Sequence, residues 1–180
     1  MTRTRPQRGK YGRLGLNGGM DSYADWQSLR SRVKALPIER QAAFALACAD
    51  GAVGPDVGLL GALESGWDAL VNRGDVSRLL KNLERRRDLD EDRVAATHYA
   101  LSSAQGQADA AWWAASRAMD QAFDAVEHPE DAVAFRPVEA DALSHVVQSE
   151  ITRQMNLLMT AESAPNLMAA IGCLRSNGQS

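Results

Sequence analysis

The sequence predicts an all-α protein, a single-domain bundle of about seven to eight helices. Apolar residues recur at the three- and four-residue spacing of a helix along most of the chain, and no useful length alternates with the period of a strand. A length of 180 residues, with 45% hydrophobic and 24% charged residues, is typical of one globular domain. We expect residues 20–163 to form the helical domain and residues 164–180 to form a short helix and a polar tail.

Residues 1–19 differ from the rest of the chain in composition. They contain five basic residues and no acidic ones, and they show no hydrophobic periodicity. We interpret them as a disordered basic arm or a mis-set start, with Met20 as the natural first residue; a nucleic-acid tether is the alternative. Residues 20–180 then hold 15 basic and 23 acidic residues, a net charge of −8. This acidic body argues against nucleic acid as its main ligand.

The two cysteines indicate a reducing compartment. Cys48 and Cys173 both lie in apolar helical contexts and neither belongs to a Cys-x-x-Cys pair, so we expect two buried thiols. No apolar run approaches the roughly 18 residues of a membrane span. The N-terminus lacks the apolar core of a signal peptide. We therefore expect a soluble, cytoplasmic protein that makes no contact with a membrane.

The first half of the domain is predicted to contain four helices. Residues 42–49 of the second are all apolar, which predicts burial on most sides, and Gly51 is predicted to end this helix. Three glycines weaken the third helix and indicate that close packing compensates for them: Gly58, Gly61 and Gly66. The positions expected to face inward in the first, third and fourth helices include Trp26, Leu29, Val33, Leu59, Leu63, Trp67, Leu80 and Leu83.

The helix from Asp109 to Glu127 is predicted to organise the fold. One arc of it carries bulky apolar residues, and the adjacent flank carries alanines, where another helix could approach closely. We expect the bulky arc to face a last long helix, residues 138–161, and to form one wall around Glu150 and Gln154. The bulky arc consists of Trp112, Met119, Phe123 and Val126.

The motifs of enzymes and metal sites are missing or incomplete. The alternating aspartates of residues 88–92 resemble a calcium loop, but Arg93 and Tyr99 occupy the places that need a glycine and a carboxylate. No histidine follows a glutamate by three residues, as a di-iron bundle would need. Asp141 and His145 could share a face, but one that is expected to point to solvent. With no nucleophile motif or phosphate loop either, we predict no catalytic residue, no metal and no cofactor.

Two polar residues interrupt the apolar arc of the last long helix. Glu150 and Gln154 fall in the middle of this arc. His98 likewise lies among apolar residues on one face of its own helix. Because an unpaired buried carboxylate costs several kcal/mol, Glu150 needs partners, and we expect the three to meet with Arg153 or a Trp indole nearby. The group is either a satisfied network that fixes helix register, a small polar pocket, or part of a dimer interface. The apolar arc consists of Leu143, Val146, Val147, Ile151, Leu157 and Leu158.

Trp113 is an exception on the polar side of the central helix. Arg117 follows it by one turn, so a cation–π contact between them could form. Either the first helix covers Trp113, or the indole is exposed and anchors a partner. Trp113 and Arg117 are therefore the candidate partner surface.

The order of these features resembles an uncharacterised bacterial family of all-helical proteins, the YjaG-like domain of unknown function. The resemblance extends from about Trp26 to Ala161, and its sharper matches are Trp67 and the spacing of Glu150 and Gln154. The chain departs from the family pattern at residues 48–51. The resemblance implies an α-helical fold and assigns no reaction, cofactor or substrate. The segments that carry it are LPIERQAAFALACADG, ALESGWDAL, AATHYALSSAQ, AASRAMDQAFDAV and EITRQMNLL.

We expect a non-enzymatic protein that acts through contacts with a protein partner; a homodimer is an alternative form of that contact. Two alternatives stay open. A small acidic helical protein suits an immunity protein that masks a basic toxin. A small-molecule binder or an enzyme would instead use an internal polar pocket built on Glu150 and His98.

Overall fold

The computed structural model describes residues 18–89, 91–126 and 144–178, with the backbone alone for residues 18–22. These ranges contain eight helices and no strand, so the predicted all-α fold is confirmed. Within them, no helix combines the length and the apolar character that a membrane-spanning segment needs. The predicted basic arm lies outside the described residues except for Gly18 and Gly19, which begin the first helix. The helices are α1 (Gly18–Ala35), α2 (Ile38–Val53), α3 (Val57–Asn72), α4 (Ser77–Glu84), α5 (Asp92–Ala104), α6 (Ala110–Asp124), α7 (His145–Ser163) and α8 (Leu167–Gly178).

Helix α2 lies at the centre of the bundle. It packs against α3, α5, α6, α7 and α8. Each side chain of residues 42–49 is at most 1% exposed, which confirms the predicted burial of this run. Five of these eight residues are alanines, and their small side chains let the neighbouring helices approach from several directions. The element that organises the fold is therefore α2, whereas α6, for which this place was predicted, packs mainly against α5 and α2.

The second helix does not end at Gly51 as predicted. It continues to Val53 and ends at Gly54, whose φ of 59° is the left-handed conformation that glycine adopts without strain. Gly51 has a different role, because the side chain of Arg153 lies directly against it. Asp56 caps the following helix, and its carboxylate accepts hydrogen bonds from the N–H groups of Gly58 (3.0 Å) and Leu59 (3.1 Å).

Only one of the three glycines of α3 is explained by tight packing against other helices. A Cβ atom on Gly66 would lie 2.7 Å from methyl groups of both Leu46 and Leu101, so this glycine lets α3 pack closely on α2 and α5. Gly61 has no such neighbour within 4 Å. A Cβ on Gly58 would meet the carboxylate of Asp56, which caps the same helix.

The predicted faces of α6 and α7 are largely confirmed. Trp112, Met119 and the alanine flank of α6 are buried, as are Val147, Ile151, Leu157 and Leu158 of α7. Val146, which was predicted to face inward, is exposed, because the buried stripe of α7 passes through its neighbour Val147. Leu143 and the predicted start of this helix lie outside the described residues.

The last helix is an integral part of the bundle. Helix α8 packs against α2 and α7, and the backbone of its Gly178 lies so close to α2 that a Cβ atom would be 3.2 Å from the carbonyl oxygen of Ala47. Ala170, Ile171 and Leu174 form its buried face. Cys173 lies outside that face and is an exposed free thiol, so the prediction of two buried thiols is correct for Cys48 and wrong for Cys173.

Candidate functional site

Gln154 is the polar residue that α7 carries into the core. The side chain is fully buried. Its Oε1 accepts a hydrogen bond from the indole Nε1 of Trp26 on α1 (2.7 Å), and its Nε2 donates to the carbonyl oxygen of Ala115 on α6 (2.9 Å) and to Oε1 of Glu150 (2.6 Å). Both ends of the amide are therefore hydrogen-bonded, and one side chain ties three helices together.

Arg153 completes this network and attaches it to α2. Its Nε and Nη2 donate to the two carboxylate oxygens of Glu150 at 2.7 and 2.8 Å. Its Nη1 and Nη2 also donate to the carbonyl oxygens of Ala47 and Cys48, each at 3.0 Å. Burial disfavours the charged guanidinium, but the hydrogen bonds and the negative charge of Glu150 outweigh burial and raise the pKa of Arg153 above its ordinary value.

Gly51 provides the space for this guanidinium on α2. A Cβ atom at this position would lie 2.3 Å from Cζ of Arg153, which is far inside van der Waals contact. The glycine thus lets the flat guanidinium lie on the helix backbone while it bonds to two carbonyl oxygens. The sequence places Gly51 directly after the buried run of α2, and without the fold that position indicated only a helix end.

Glu150, Arg153 and Gln154 form a closed set of charge-assisted hydrogen bonds. Both carboxylate oxygens of Glu150 accept from donors of the same helix, and the carboxylate faces a guanidinium in a bidentate pair. Of the three residues that were expected to meet, Glu150 and Gln154 do so, with Arg153 and the indole of Trp26 beside them. Through Gln154 and Arg153, this network connects α7 to α1, α2 and α6.

His98 does not belong to this network. Its Nε2 lies 3.6 Å from a carboxylate oxygen of Glu84 on α4, and its ring contacts Tyr99 edge to face with ring centroids 5.6 Å apart. Helical spacing placed His98 on an inward face, but it could not show which neighbouring helix that face meets. The internal pocket predicted from Glu150 and His98 together is not assembled by the described residues.

Asp50 is a partly buried carboxylate that sequence reasoning missed. It accepts a hydrogen bond from the indole Nε1 of Trp67 on α3 at 2.9 Å. Burial raises the pKa of Asp50, and the negative charge of Glu64 adds to this effect, whereas the indole hydrogen bond, Arg175 and Arg153 oppose it. Its place just after the apolar run of residues 42–49 was the available signal, since the next residues of a buried helix tend to be buried too.

Trp113 lies on α6 and is exposed to solvent. The side chain is 45% exposed, and the guanidinium of Arg30 on α1 stands 5.9 Å from the centre of its ring. Tyr99 of α5 flanks it, with ring centroids 6.4 Å apart. The expected cation–π partner, Arg117, instead pairs with a carboxylate: its Nη1 lies 3.0 Å from Oδ1 of Asp92.

Two carboxylates pair with Arg117, which follows Trp113 by one turn on α6: Asp92, and Asp120 at 3.8 Å from the guanidinium. Asp124 lies near enough to Asp92 and Asp120 for its charge to affect both. Burial raises the pKa of Asp92, and the charge of Asp124 adds to this, against the effect of Arg117. Burial and the charge of Asp92 likewise raise the pKa of Asp120. We call the patch formed by Arg30, Asp92, Tyr99, Trp113, Arg117, Asp120 and Asp124 the tryptophan surface; it contains three carboxylates and two guanidiniums.

No group of three or more His, Cys, Asp or Glu side chains in the described part of the chain could hold a metal ion. Asp141, half of the Asp141/His145 pair, lies outside the described residues. Comparison with models of protein families, with curated proteins and with solved structures gives no match for this chain. The resemblance to the YjaG-like family therefore stays a prediction.

Proposed function

We propose that this protein is a cytoplasmic, non-enzymatic binding module that acts by contact with another protein through the tryptophan surface. The observation that carries this proposal is the exposure of Trp113. The other three tryptophans, Trp26, Trp67 and Trp112, are 6%, 0% and 8% exposed. Tryptophan is the residue type most enriched at the energetic centres of protein interfaces, and an indole already held by neighbouring side chains loses little freedom on binding.

The three carboxylates of the tryptophan surface favour a basic partner. Asp92 and Asp120 share the guanidinium of Arg117. Burial is the main cause of the raised pKa of Asp92 and of Asp120, and the charge of Asp124 adds to it. A cationic side chain from a partner would reduce the repulsion among these carboxylates, so complementary charge would add to both the rate and the specificity of binding. The net charge of −8 on residues 20–180 acts in the same direction over longer distances.

An immunity protein that neutralises a basic toxin is the second candidate, and the same acidic surroundings of Trp113 favour it. It differs from a general binding module in one measurable respect: the bound partner loses its own activity. Glu150 is the carboxylate that the sequence makes the strongest candidate for a catalytic role. Its hydrogen bonding supports the proposal that the module is non-enzymatic. Both of its oxygens accept hydrogen bonds from donors of its own helix.

The test uses the tagged full-length protein as bait in extracts of the source cells, with quantitative mass spectrometry. We expect a basic protein to be retained by the wild type and lost from Trp113→Ala and Asp120→Lys. With the purified partner, Trp113→Ala should raise Kd by roughly 30-fold, the equivalent of about 2 kcal/mol at an interface centre. Added salt should weaken the wild-type complex.

Val57→Ala provides the matched control, because Val57 is an 81% exposed apolar residue of α3 that is not part of the tryptophan surface. This variant should retain the partner like the wild type. Equal recovery of the same proteins by wild type, Trp113→Ala and Asp120→Lys would contradict the proposal. An assay of the partner's own activity, with and without this protein, then separates the immunity function from simple binding.

A further inference from the structure

Residues 144–178, which form α7 and α8, present an unusual surface in this acidic molecule. They contain four formally charged side chains, and each is paired within the protein. Glu150 pairs with Arg153, Glu162 with Arg32 of α1 at 2.6 Å, and Arg175 with Glu64 of α3. Among these 35 residues no charged group is left over to face solvent without a counter-charge.

The outer face of α7 is free of charged side chains over most of its length. Along its middle the exposed residues recur every three or four positions and include the small polar residues Ser149, Thr152 and Asn156, with Ser163 after them; His145 and the paired carboxylate of Glu162 are exposed near the two ends of the helix. Two exposed apolar side chains, Val146 (43%) and Met159 (49%), stand among them. An open groove of about 980 Å³ runs along this face. We call this stripe the neutral face.

We propose that two copies of this chain associate through the neutral face, with their α7 helices antiparallel. A twofold interface brings one surface against its own copy, so any unpaired charge near the axis meets a like charge and is repelled. The net charge of −8 on residues 20–180 disfavours contact through most other surfaces. The neutral face escapes this repulsion, which makes a second copy the partner that its electrostatics fits.

The spacing of side chains on the neutral face also suits an antiparallel pair. Residues 145–163 are centred on position 154, so an antiparallel pair about that point brings Thr152 next to Asn156 and Ser149 next to Met159 of the other copy. Each large methionine thus meets a small serine, and small side chains near the axis let the two helix backbones approach closely. The hydroxyl and amide groups can form hydrogen bonds across the axis without burying an unpaired charge.

Sedimentation equilibrium of the full-length protein tests this inference. We expect wild type to show a concentration-dependent mass of up to twice the 19.5 kDa of one chain. Thr152→Glu and Thr152→Lys should each raise the dimer dissociation constant at least tenfold, because each places two like charges near the axis. Mixing the two variants should restore dimers, since unlike charges then meet. Circular dichroism checks that both variants are folded.

Asn82→Glu on α4 is the matched control, because it adds the same charge to an exposed position away from α7, and it should leave the dimer intact. Trp113→Ala should also remain dimeric, since the inference does not depend on the tryptophan surface. A wild-type protein that stays monomeric at all concentrations would overturn the inference. Two Thr152 variants that dimerise like wild type, or a dimer lost with Asn82→Glu or Trp113→Ala, would overturn it as well.

Discussion

Asp50 and Glu150 are two partly buried carboxylates that accept hydrogen bonds from different kinds of donor. Glu150 faces a guanidinium and accepts further hydrogen bonding from Gln154. Asp50 has the indole of Trp67 as its hydrogen-bond donor, and the nearest arginines act on it only by their charge. A neutral donor does not offset the loss of hydration of a full negative charge, so the two residues should respond differently to substitution.

Asp50→Asn should stabilise the protein at neutral pH. Asparagine keeps an oxygen that can accept from Trp67 and removes a charge whose pKa the fold raises above 3.8. A raised pKa means that the folded state disfavours the anion. This cost is present above the folded-state pKa and disappears as the pH falls below the ordinary value. The free energy of unfolding, measured in urea from pH 7 to pH 3.5, should therefore exceed that of wild type at pH 7 and converge with it at the acid end.

Asp68→Asn on the exposed side of α3 is the control for this measurement. It removes the same charge from an exposed position, so its effect on the free energy of unfolding at pH 7 should be small. An advantage of Asp50→Asn that is the same at pH 7 and at pH 3.5 would contradict the assignment of the raised pKa to burial.

The Glu150–Arg153 pair should show strong coupling between its two members. The two side chains are 12% and 20% exposed, so removal of either one leaves the other charge poorly hydrated. We expect Glu150→Leu or Arg153→Met to lower the free energy of unfolding by about 3 kcal/mol each. The double variant should lose clearly less than the sum, with a coupling of at least about 1 kcal/mol in a urea-based double-mutant cycle. Strictly additive losses would show that the pair does not act as one unit.

At the scale of elements, the contact between α2 and α7 depends on Gly51, which has no side chain. Arg153 can donate to the carbonyl oxygens of Ala47 and Cys48 because Gly51 leaves that side of α2 flat. Gly66 has the equivalent role where α3 crosses α2 and α5. Both glycines lie inside helices, where local propensity alone would favour alanine.

Gly51→Ala should destabilise the protein although it improves helix propensity. The new methyl group would displace the guanidinium of Arg153 and break its hydrogen bonds to α2, which outweighs a propensity gain of up to ~1 kcal/mol. We expect the free energy of unfolding to fall by about 2 kcal/mol in urea denaturation. Gly61→Ala is the matched control: nothing lies within 4 Å of its Cβ position on α3, so this change should stabilise the protein. A gain in stability from both substitutions would refute the role of Gly51.

At the scale of the whole molecule, charge is unevenly distributed, and we propose different partners for two of its surfaces. The tryptophan surface combines an exposed indole with carboxylates that share one guanidinium, which suits a basic protein. The neutral face of α7 has no charged side chain to repel its own copy. The two proposed contacts involve different helices, so one protein could make both at the same time.

The parts of the fold that could be predicted are those that depend on the order of residues within one helix. The buried stripe of α1, with Trp26, Leu29 and Val33, and the buried run of α2 follow from helical periodicity. The position of Gln154 inside the core follows in the same way, because a polar residue within an apolar stripe is buried together with that stripe. The need of Glu150 for a charged partner followed from the cost of burying a carboxylate.

The partners across helices could not be predicted in the same way. The indole of Trp67 reaches Asp50, the guanidinium of Arg30 stands over Trp113, and His98 faces Glu84, and these pairs join different helices. Periodicity gives the direction of each side chain about its own axis. It does not determine how a second helix is rotated about its own axis or how far away that helix lies.

The sequence by itself determined that this protein is a bundle of helices with an acidic body, because both properties are sums or periods of the residues along the chain. Only the tertiary structure decided that α2 is the central helix and that Gly51 leaves space on α2 for the guanidinium of Arg153. The same packing left Trp113 exposed beside Arg30 and Tyr99. The physical reason is that these properties depend on how closely and at what angle the helices pack, and close packing selects one arrangement from many that share the same apolar stripes.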